Sequence, residues 1–280
     1  MQIPEILCIG FLCHDLHQGK YILGGTASYA SIMANHLGLE TAVLTSIGDD
    51  FKFISEFADR GIALEIIQAD NTTVFENVYE EGRRTQHLHQ RATTLSAHHL
   101  PKHWQDIPIV KFCLIADEAD HTCLPLFPEA LVAATIQGWL RQWNDKGIVS
   151  TKEMNWDLLL HIDIVFMSEE DISGFEDAIP IITKNVKYLV LTKGKEPVTV
   201  FHDGKEMSFP VYPTNELDPT GAGDVFAASF LYQFYKTNDI VHAAAFAHAS
   251  ASCVVEKVGV YIPEIDEINR RYKWYLKHMI

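Results

Sequence analysis

Apolar and polar positions along the chain fall into two alternating rhythms. Short apolar runs of strand length are separated by segments in which apolar residues recur at helical spacing. Ile6–Ile9 reads as a first strand. After a loop, Thr26–Leu37 reads as a helix that Gly38 can close in a left-handed C-cap. Thr41–Ser46 (strand), Asp50–Arg60 (helix, with Gly61 after it) and Ala63–Gln68 (strand) continue the alternation, and Ile109–Ile115, Ile162–Met167 and Tyr188–Thr192 are later strands. This order predicts βαβ units around a mainly parallel sheet, an α/β fold with helices flanking it.

Two hairpins interrupt that rhythm. Thr72–Tyr79 and Thr85–Arg91 are extended runs joined by Glu80-Glu81-Gly82-Arg83-Arg84, which predicts an antiparallel hairpin inserted at about 71–91. Both runs are rich in polar residues, so the hairpin is not expected at the centre of a buried sheet. A second hairpin, Val198–Phe201 to Met207–Val211, turns at His202-Asp203-Gly204. The C-terminal third is helical, over Ala222–Tyr235, Ile240–Val255 and Glu264–His278. No repeat, low-complexity linker or clear boundary divides the chain, so residues 1–280 are expected to form one α/β domain with an inserted hairpin.

Composition narrows the function classes. The 280 residues hold 22 basic and 37 acidic side chains, a net charge of −15 with histidine neutral. That balance argues against a nucleic-acid or anionic-membrane partner. Hydrophobic residues at 48% and charged ones at 21% are an ordinary globular mixture. Cys8, Cys13, Cys113, Cys123 and Cys253 are odd in number and share no C-x-x-C spacing, which reads as reduced thiols in a cytoplasmic protein. Met1–Glu5 has no basic n-region, and the longest uncharged run, Ile240–Val255, falls short of the ~18 apolar residues of a spanning helix. A soluble protein is expected.

The chemistry concentrates in Asn215–Phe226, NELDPTGAGDVF. Gly221-Ala222-Gly223 follows a Pro-Thr turn and opens directly into a long apolar helix. Small residues at a helix start aim several unpaired N–H groups at one spot with the dipole behind them, which makes an anion site. Asp224 then falls in the first turn. A carboxylate beside an anion hole has a purpose if it takes the proton of a hydroxyl attacking a phosphate. The plain reading, that Asp218 or Asp224 only caps the helix, stands for a lone G-x-G-D. A dinucleotide fingerprint fits poorly, because Phe226 replaces its third glycine, and no Lys preceded by glycine precedes Ser or Thr as a phosphate-binding P-loop requires.

Asp218-Pro-Thr-Gly-Ala-Gly-Asp224 resembles the signature of the ribokinase-like (PfkB) carbohydrate kinases. Gly24-Gly25-Thr-Ala-Ser-Tyr-Ala-Ser, Gly38 and Ser46-Ile-Gly-Asp-Asp50 are similar to that family's N-terminal glycine-pair motif. The resemblance implies Asp224 as catalytic base, with the amides of Gly221, Ala222 and Gly223 as the anion hole. It implies that Asp15 accepts from sugar hydroxyls, that Gly24 and Gly25 let backbone approach the substrate, and that the inserted hairpin is a lid. Thr192-Lys193-Gly194 resembles the nucleotide-binding loop, and Phe246-Ala-His248-Ala the adenine-side helix. It further implies ATP and Mg²⁺, and allows a monovalent cation near Asp218. Three positions depart from the pattern. Tyr29 replaces an asparagine of the glycine-pair motif, His248 stands where asparagine is common, and Ser168-Glu-Glu-Asp171 replaces N-x-x-E. Mg²⁺ would then be organised through water by Glu170 or Asp171, with Ser168 on the nucleotide side. The first and third departures, together with Gln137-Gly-Trp-Leu-Arg141, are similar to the myo-inositol kinase-like branch.

Other candidates are weaker. Fourteen histidines invite a metal-site reading, above all His87/His89 and His98/His99/His103. His87 and His89 share one strand face, but no third ligand of suitable spacing is evident, so a solvated or substrate-facing edge is the better reading. Arg91 could meet substrate or product phosphate, or be an edge charge. Trp104, Trp139, Trp143 and Trp156 read as packing aromatics, and Asp49/Asp50 as caps of the following helix. The expected activity is ATP-dependent phosphoryl transfer to a hydroxyl of a small polyol or sugar, inositol first, then ribose or fructose, then a nucleoside. A non-catalytic nucleotide or metabolite sensor on the same fold is the second reading, and a nicotinamide oxidoreductase the third. Monomer and lid-mediated homodimer are both open.

Overall fold

The computed structural model describes residues 3–80, 83–257 and 261–280. In the N-terminal part lie β1 (Ile6–Ile9), β2 (Cys13–His17), β3 (Lys20–Gly24), α1 (Thr26–His36), β4 (Thr41–Ile47), α2 (Ile54–Ala58) and β5 (Ala63–Gln68). Then follow β6 (Val74–Glu80), β7 (Arg83–Gln90), β8 (Ile109–Cys113), β9 (Leu131–Thr135), β10 (Arg141–Trp143), β11 (Val149–Thr151) and β12 (Ile164–Ser168). The rest comprises α3 (Glu169–Ile172), α4 (Ile179–Asn185), β13 (Tyr188–Lys193), β14 (Glu196–His202), β15 (Lys205–Phe209), α5 (Ala222–Thr237), α6 (Ile240–Val254) and α7 (Ile265–His278).

A nine-stranded sheet in the order β15-β14-β13-β12-β9-β8-β1-β4-β5 carries the fold. Every neighbour pair from β13 to β5 is parallel, and β14 alone runs against its neighbours. The unbroken apolar runs follow from this, because a parallel sheet is covered on both faces. Along β1, Leu7 and Ile9 point into one core and Ile6 and Cys8 into another. On α5, Phe226, Phe230 and Phe234 recur at i, i+4 and pack on Ile164, Phe166, Val190, Val198 and Val200. All five cysteines are buried free thiols.

The interrupting hairpin is part of something larger. β6 and β7 pair antiparallel, but β6 also runs parallel to β2, giving a four-stranded sheet in the order β3-β2-β6-β7. The stretch between Ile9 and Thr26, expected as a loop, is thus the hairpin β2–β3, turned at Gln18 and Gly19 with φ of +50° and +73°. His14 and His17 hid its alternation. The apex of the expected turn at 80–84, residues 81–82, lies outside the described residues. The second hairpin turns where expected, with Asp203 and Gly204 at φ +48° and +71°.

The expected helix over Asp50–Arg60 shrinks to α2. Asp50 does not cap it; its Oδ1 accepts from Thr72 N (2.9 Å) and Oγ1 (2.7 Å), fastening the chain to the base of the small sheet. Asp49 Oδ1 accepts from Gln68 Nε2 at 2.9 Å. Phe51 and Phe53 turn inward onto the His14 ring instead of following a helical face. Of the four tryptophans weighed above, Trp104, Trp139 and Trp156 are buried, whereas Trp143 is exposed under the Arg91 guanidinium. No helix among the described residues is long and apolar enough to cross a membrane.

Candidate active site

A cleft of about 360 Å³ lies between the two sheets, at the carboxyl ends of β8, β9, β12 and β13. Ligands of open α/β sheets bind at this edge, where loops rather than strand backbone line the space. The small sheet contributes Asp15, Phe75, Asn77 and Gln86. The start of α1 brings Gly25, Thr26 and Tyr29, and the start of α5 brings Gly221, Gly223 and Asp224.

At the α5 end, Gly221 takes φ +77° as the residue before the helix, and Val225 donates the first i→i−4 bond to Gly221 O at 2.9 Å. The amides of Gly223 and Asp224 precede that bond and belong to the first turn, whose N–H groups are the anion donors of a helix. Ala222 is different: its N–H donates to Pro219 O at 3.1 Å and the residue is outside the cleft lining. Asp218 does not cap the helix either. Its Oδ1 accepts from Thr220 N at 2.9 Å, which shapes the turn before Gly221. Asp224 accepts from the Thr26 hydroxyl. Burial pushes its carboxyl upward, opposed by Lys111, Thr26 and Arg141, while Asp171 adds to the rise.

Across the cleft, Asp15 sits on β2 directly beside Gly24, where any Cβ would collide with the carboxylate. Gly25 needs its own freedom, with φ +93° and a Cβ position 2.6 Å from Phe11 O. Burial, then the charge of Asp224, pushes the Asp15 carboxyl from 3.8 up to about 6. Below pH 4 the group is neutral in both states, and above pH 6 the fold bears the full cost of an ionised buried acid, about 2–3 kcal/mol. Asp15→Asn is expected to melt above the parent by several degrees at pH 8. That gap should close as pH falls from about 6 to 4, while acceptor binding is lost; a pH-independent gap in differential scanning fluorimetry would contradict it.

Tyr29 is buried, its ring fills the space a Gly221 Cβ would need, and its buried hydroxyl has no hydrogen-bond partner among the described residues. Asn77 and Gln86 face each other across β6 and β7, Gln86 Nε2 donating to Asn77 Oδ1 at 3.2 Å. They hang over the cleft as an amide pair that the sequence had shown only as polar hairpin residues. Arg91 does not reach the cleft lining. Its guanidinium donates to the carbonyls of Ala116, Ala92 and Asp117 and to Thr94 Oγ1, and it lies over the rings of Phe11 and Trp143.

On the far side, Ser168 and Asp171 form a closed capping box: Asp171 Oδ2 accepts from Ser168 N and Oγ, both at 2.8 Å, and Asp171 N donates to Ser168 Oγ at 3.2 Å. This holds Glu170 and Asp171 on the cleft wall beside Thr192. Lys193 and Gly194 lie beyond the cleft lining, past a bulge in β13. His248 is sealed, 4% exposed, stacked on Tyr275 and edge-on to Phe226. It is a core histidine, and burial holds its imidazole down at about 4. His87 and His89 stack on one strand face as expected, His89 paired to Glu76 at 2.8 Å, and no metal-holding group of three or more His, Cys, Asp or Glu occurs among the described residues.

Sequence reasoning missed the buried lysine behind the cleft and named Arg141, which lines it, only within Gln137–Arg141. Lys111 is fully buried in the middle of β8, and its Nζ donates to Thr135 Oγ1 at 2.7 Å. Arg141 donates to Ile115 O (3.1 Å) and Gln137 Oε1 (2.7 Å), and Gln137 in turn donates to Thr26 Oγ1 at 3.2 Å. One signal was available for Lys111, a lone charge inside a run that must be buried on both faces.

The pfkB family carbohydrate kinase profile matches residues 13–267. Inositol 3-kinase of Arabidopsis thaliana is 26% identical over 300 residues, covering 97% of this chain and 82% of its own. A pyrophosphate-dependent kinase in the ribokinase family, complexed with a pyrophosphate analog and myo-inositol, has a similar fold, with TM-score 0.78 at 20% identity over 94% of this chain and 99% of that one. Arabidopsis thaliana ribokinase complexed with ribose and ATP gives TM-score 0.78 at 19% identity, over 97% and 99%. The mainly parallel sheet, the small second sheet and the cleft between them are thus a ribokinase fold. With its family profile running almost from end to end, the chain belongs to the pfkB family of carbohydrate kinases and is a sugar or nucleoside kinase.

Proposed function

We propose that this kinase transfers the γ-phosphoryl group of ATP to a hydroxyl of a small polyol, inositol before ribose, fructose or a nucleoside, with Asp224 as the base. One observation carries the reading: Asp15 and Asp224 face each other across one cleft, with the first amides of α5 beside Asp224. Asp15 would accept hydrogen bonds from acceptor hydroxyls and set the ring against Gly25. The Asn77–Gln86 pair would cover it as the inner face of a lid, within a single domain of residues 1–280. The attacking hydroxyl gives its proton to Asp224 as its oxygen bonds to the γ-phosphorus; the bond to the bridging oxygen breaks, and ADP leaves. The Gly221 and Gly223 end of α5 would stabilise the charge of the moving group, so catalysis is positioning plus electrostatics.

Glu170 and Asp171 are hard oxygen donors on the cleft wall, which fits Mg²⁺, an ion that usually keeps several waters. When bound it would supply charge neutralisation for the donor phosphates. In a chain of net charge −15 that contribution is large. Calorimetric titration with ATP is expected to show affinity about 10²-fold weaker with chelator than with Mg²⁺; equal affinity would contradict the site.

The acceptor is tested by product formation over a panel of inositols, pentoses, hexoses and nucleosides, each with ATP and with inorganic pyrophosphate. Turnover confined to inositols with ATP is expected. Pyrophosphate is included because, among the described residues, none of Phe246–Ala249 lines the cleft and His248 is sealed, so the expected adenine-side wall is not formed by those side chains. Binding without turnover across the whole panel would favour the sensor reading instead.

A further inference from the structure

Lys111 is a fully buried charge behind the cleft that the proposed transfer does not yet use. A lysine in the interior of a parallel sheet, fully buried, is rare unless an opposite charge compensates it. Its strand neighbour across β1 is Cys8, a thiol, and its hydrogen-bond partner is the hydroxyl of Thr135 on β9. Neither neutralises it. Thr135 lines the cleft that holds Asp224, so the tether draws the ammonium to the wall of that cleft, where its charge acts on the carboxylate.

We infer that Lys111 is a positioning residue for phosphoryl transfer: held by Thr135, its ammonium faces Asp224 from inside the sheet and keeps that carboxylate ionised as proton acceptor. This rests on the reading of Asp224 as base. The surroundings show why the charge is needed. Asp15 on β2 and Asp171 on α3 face the same space and oppose a second negative charge, and burial does so more strongly. Thr26 and Tyr29 on α1 offer only hydroxyls. Arg141 on β10 is the other cation and also lowers the Asp224 carboxyl, by less than Lys111, while its guanidinium donates to Ile115 O and Gln137 Oε1. Lys111 has three donors, and Thr135 takes one of them. Among these groups it is Lys111 that most lowers the Asp224 carboxyl against its burial.

The test is the pH profile of kcat/KM in Lys111→Met, whose side chain keeps the length and apolar stem. The acid limb is expected to move up by about 1–3 pH units, the range that an adjacent opposite charge produces, with the rate recovering toward the parent at high pH. A purely structural lysine would instead lower the rate alike at every pH, and an unmoved limb would overturn the inference. Should Lys111→Met not accumulate as folded protein, Thr135→Val keeps the charge and removes its tether. It should shift the limb the same way by less, and an unmoved limb there would count equally against the role. Asp224→Asn separates the two levels: if it turns over normally, the base assignment fails. If it is inactive while the limb of Lys111→Met stays put, only the role of Lys111 fails.

Discussion

Asp224→Asn is expected to lower turnover about 10²–10⁴-fold, the range for removal of a general base, with nucleotide affinity nearly unchanged. The substitution keeps size and shape, so the Thr26 hydroxyl retains a partner and the first turn of α5 keeps its geometry. What goes is the capacity to accept a proton. In the proposed reading, donor binding would rest on other groups that line the cleft, namely the start of α5, Thr192 and the carboxylate wall at Glu170 and Asp171. The result should therefore appear in kcat and not in the dissociation constant of the nucleotide. Single-turnover kinetics beside an equilibrium titration would separate the two, and turnover within tenfold of the parent would remove Asp224 from the base role.

The sheet was legible because parallel strands covered on both faces carry near-continuous apolar runs, as β1, β4, β8, β12 and β13 do, whereas the edge strand β5 is partly exposed along its length. The small sheet was legible by half. β6 and β7 alternate around a turn-rich centre, whereas β2 and β3 contain His14, Asp15, His17 and Lys20, whose burial or exposure depends on partners far along the chain. His14 is buried only because Tyr21, Phe51 and Phe53 surround it. That the glycine-rich start of α5 opens a helix was readable from local chemistry alone, and it lines the cleft. Long-range pairings were not: nothing near Lys111 in sequence announces Thr135 or Asp224, and nothing near Asn77 announces Gln86. Arg91 and His248 failed to reach the cleft for the same reason. A motif places a residue on an element, but packing decides which way it faces.

Gly221→Ala is expected to weaken the fold and the chemistry together, because two independent constraints meet at that atom. The residue holds φ +77°, a left-handed conformation that costs a non-glycine residue about 1–2 kcal/mol. A Cβ would also enter the ring of Tyr29, itself fixed between α1 and the core. Overpacking of that kind adds about 1–3 kcal/mol when the neighbour can yield. Tyr29 cannot yield without moving α1, which carries Thr26 and follows Gly25, so the relief must come from the first turn of α5. A shift of about 1 Å in catalytic geometry costs on the order of 10²-fold in rate. Gly221→Ala should thus lose about 10²-fold in kcat and melt well below the parent. The two constraints can be told apart with Tyr29→Val, which opens the space but leaves φ unchanged. In the Gly221→Ala background it should recover the packing loss and part of the rate, while the backbone strain remains. Strict additivity of the two substitutions in a double-mutant cycle would mean that ring and methyl never meet, and the contact between α1 and the anion site would lose its role in placing Asp224.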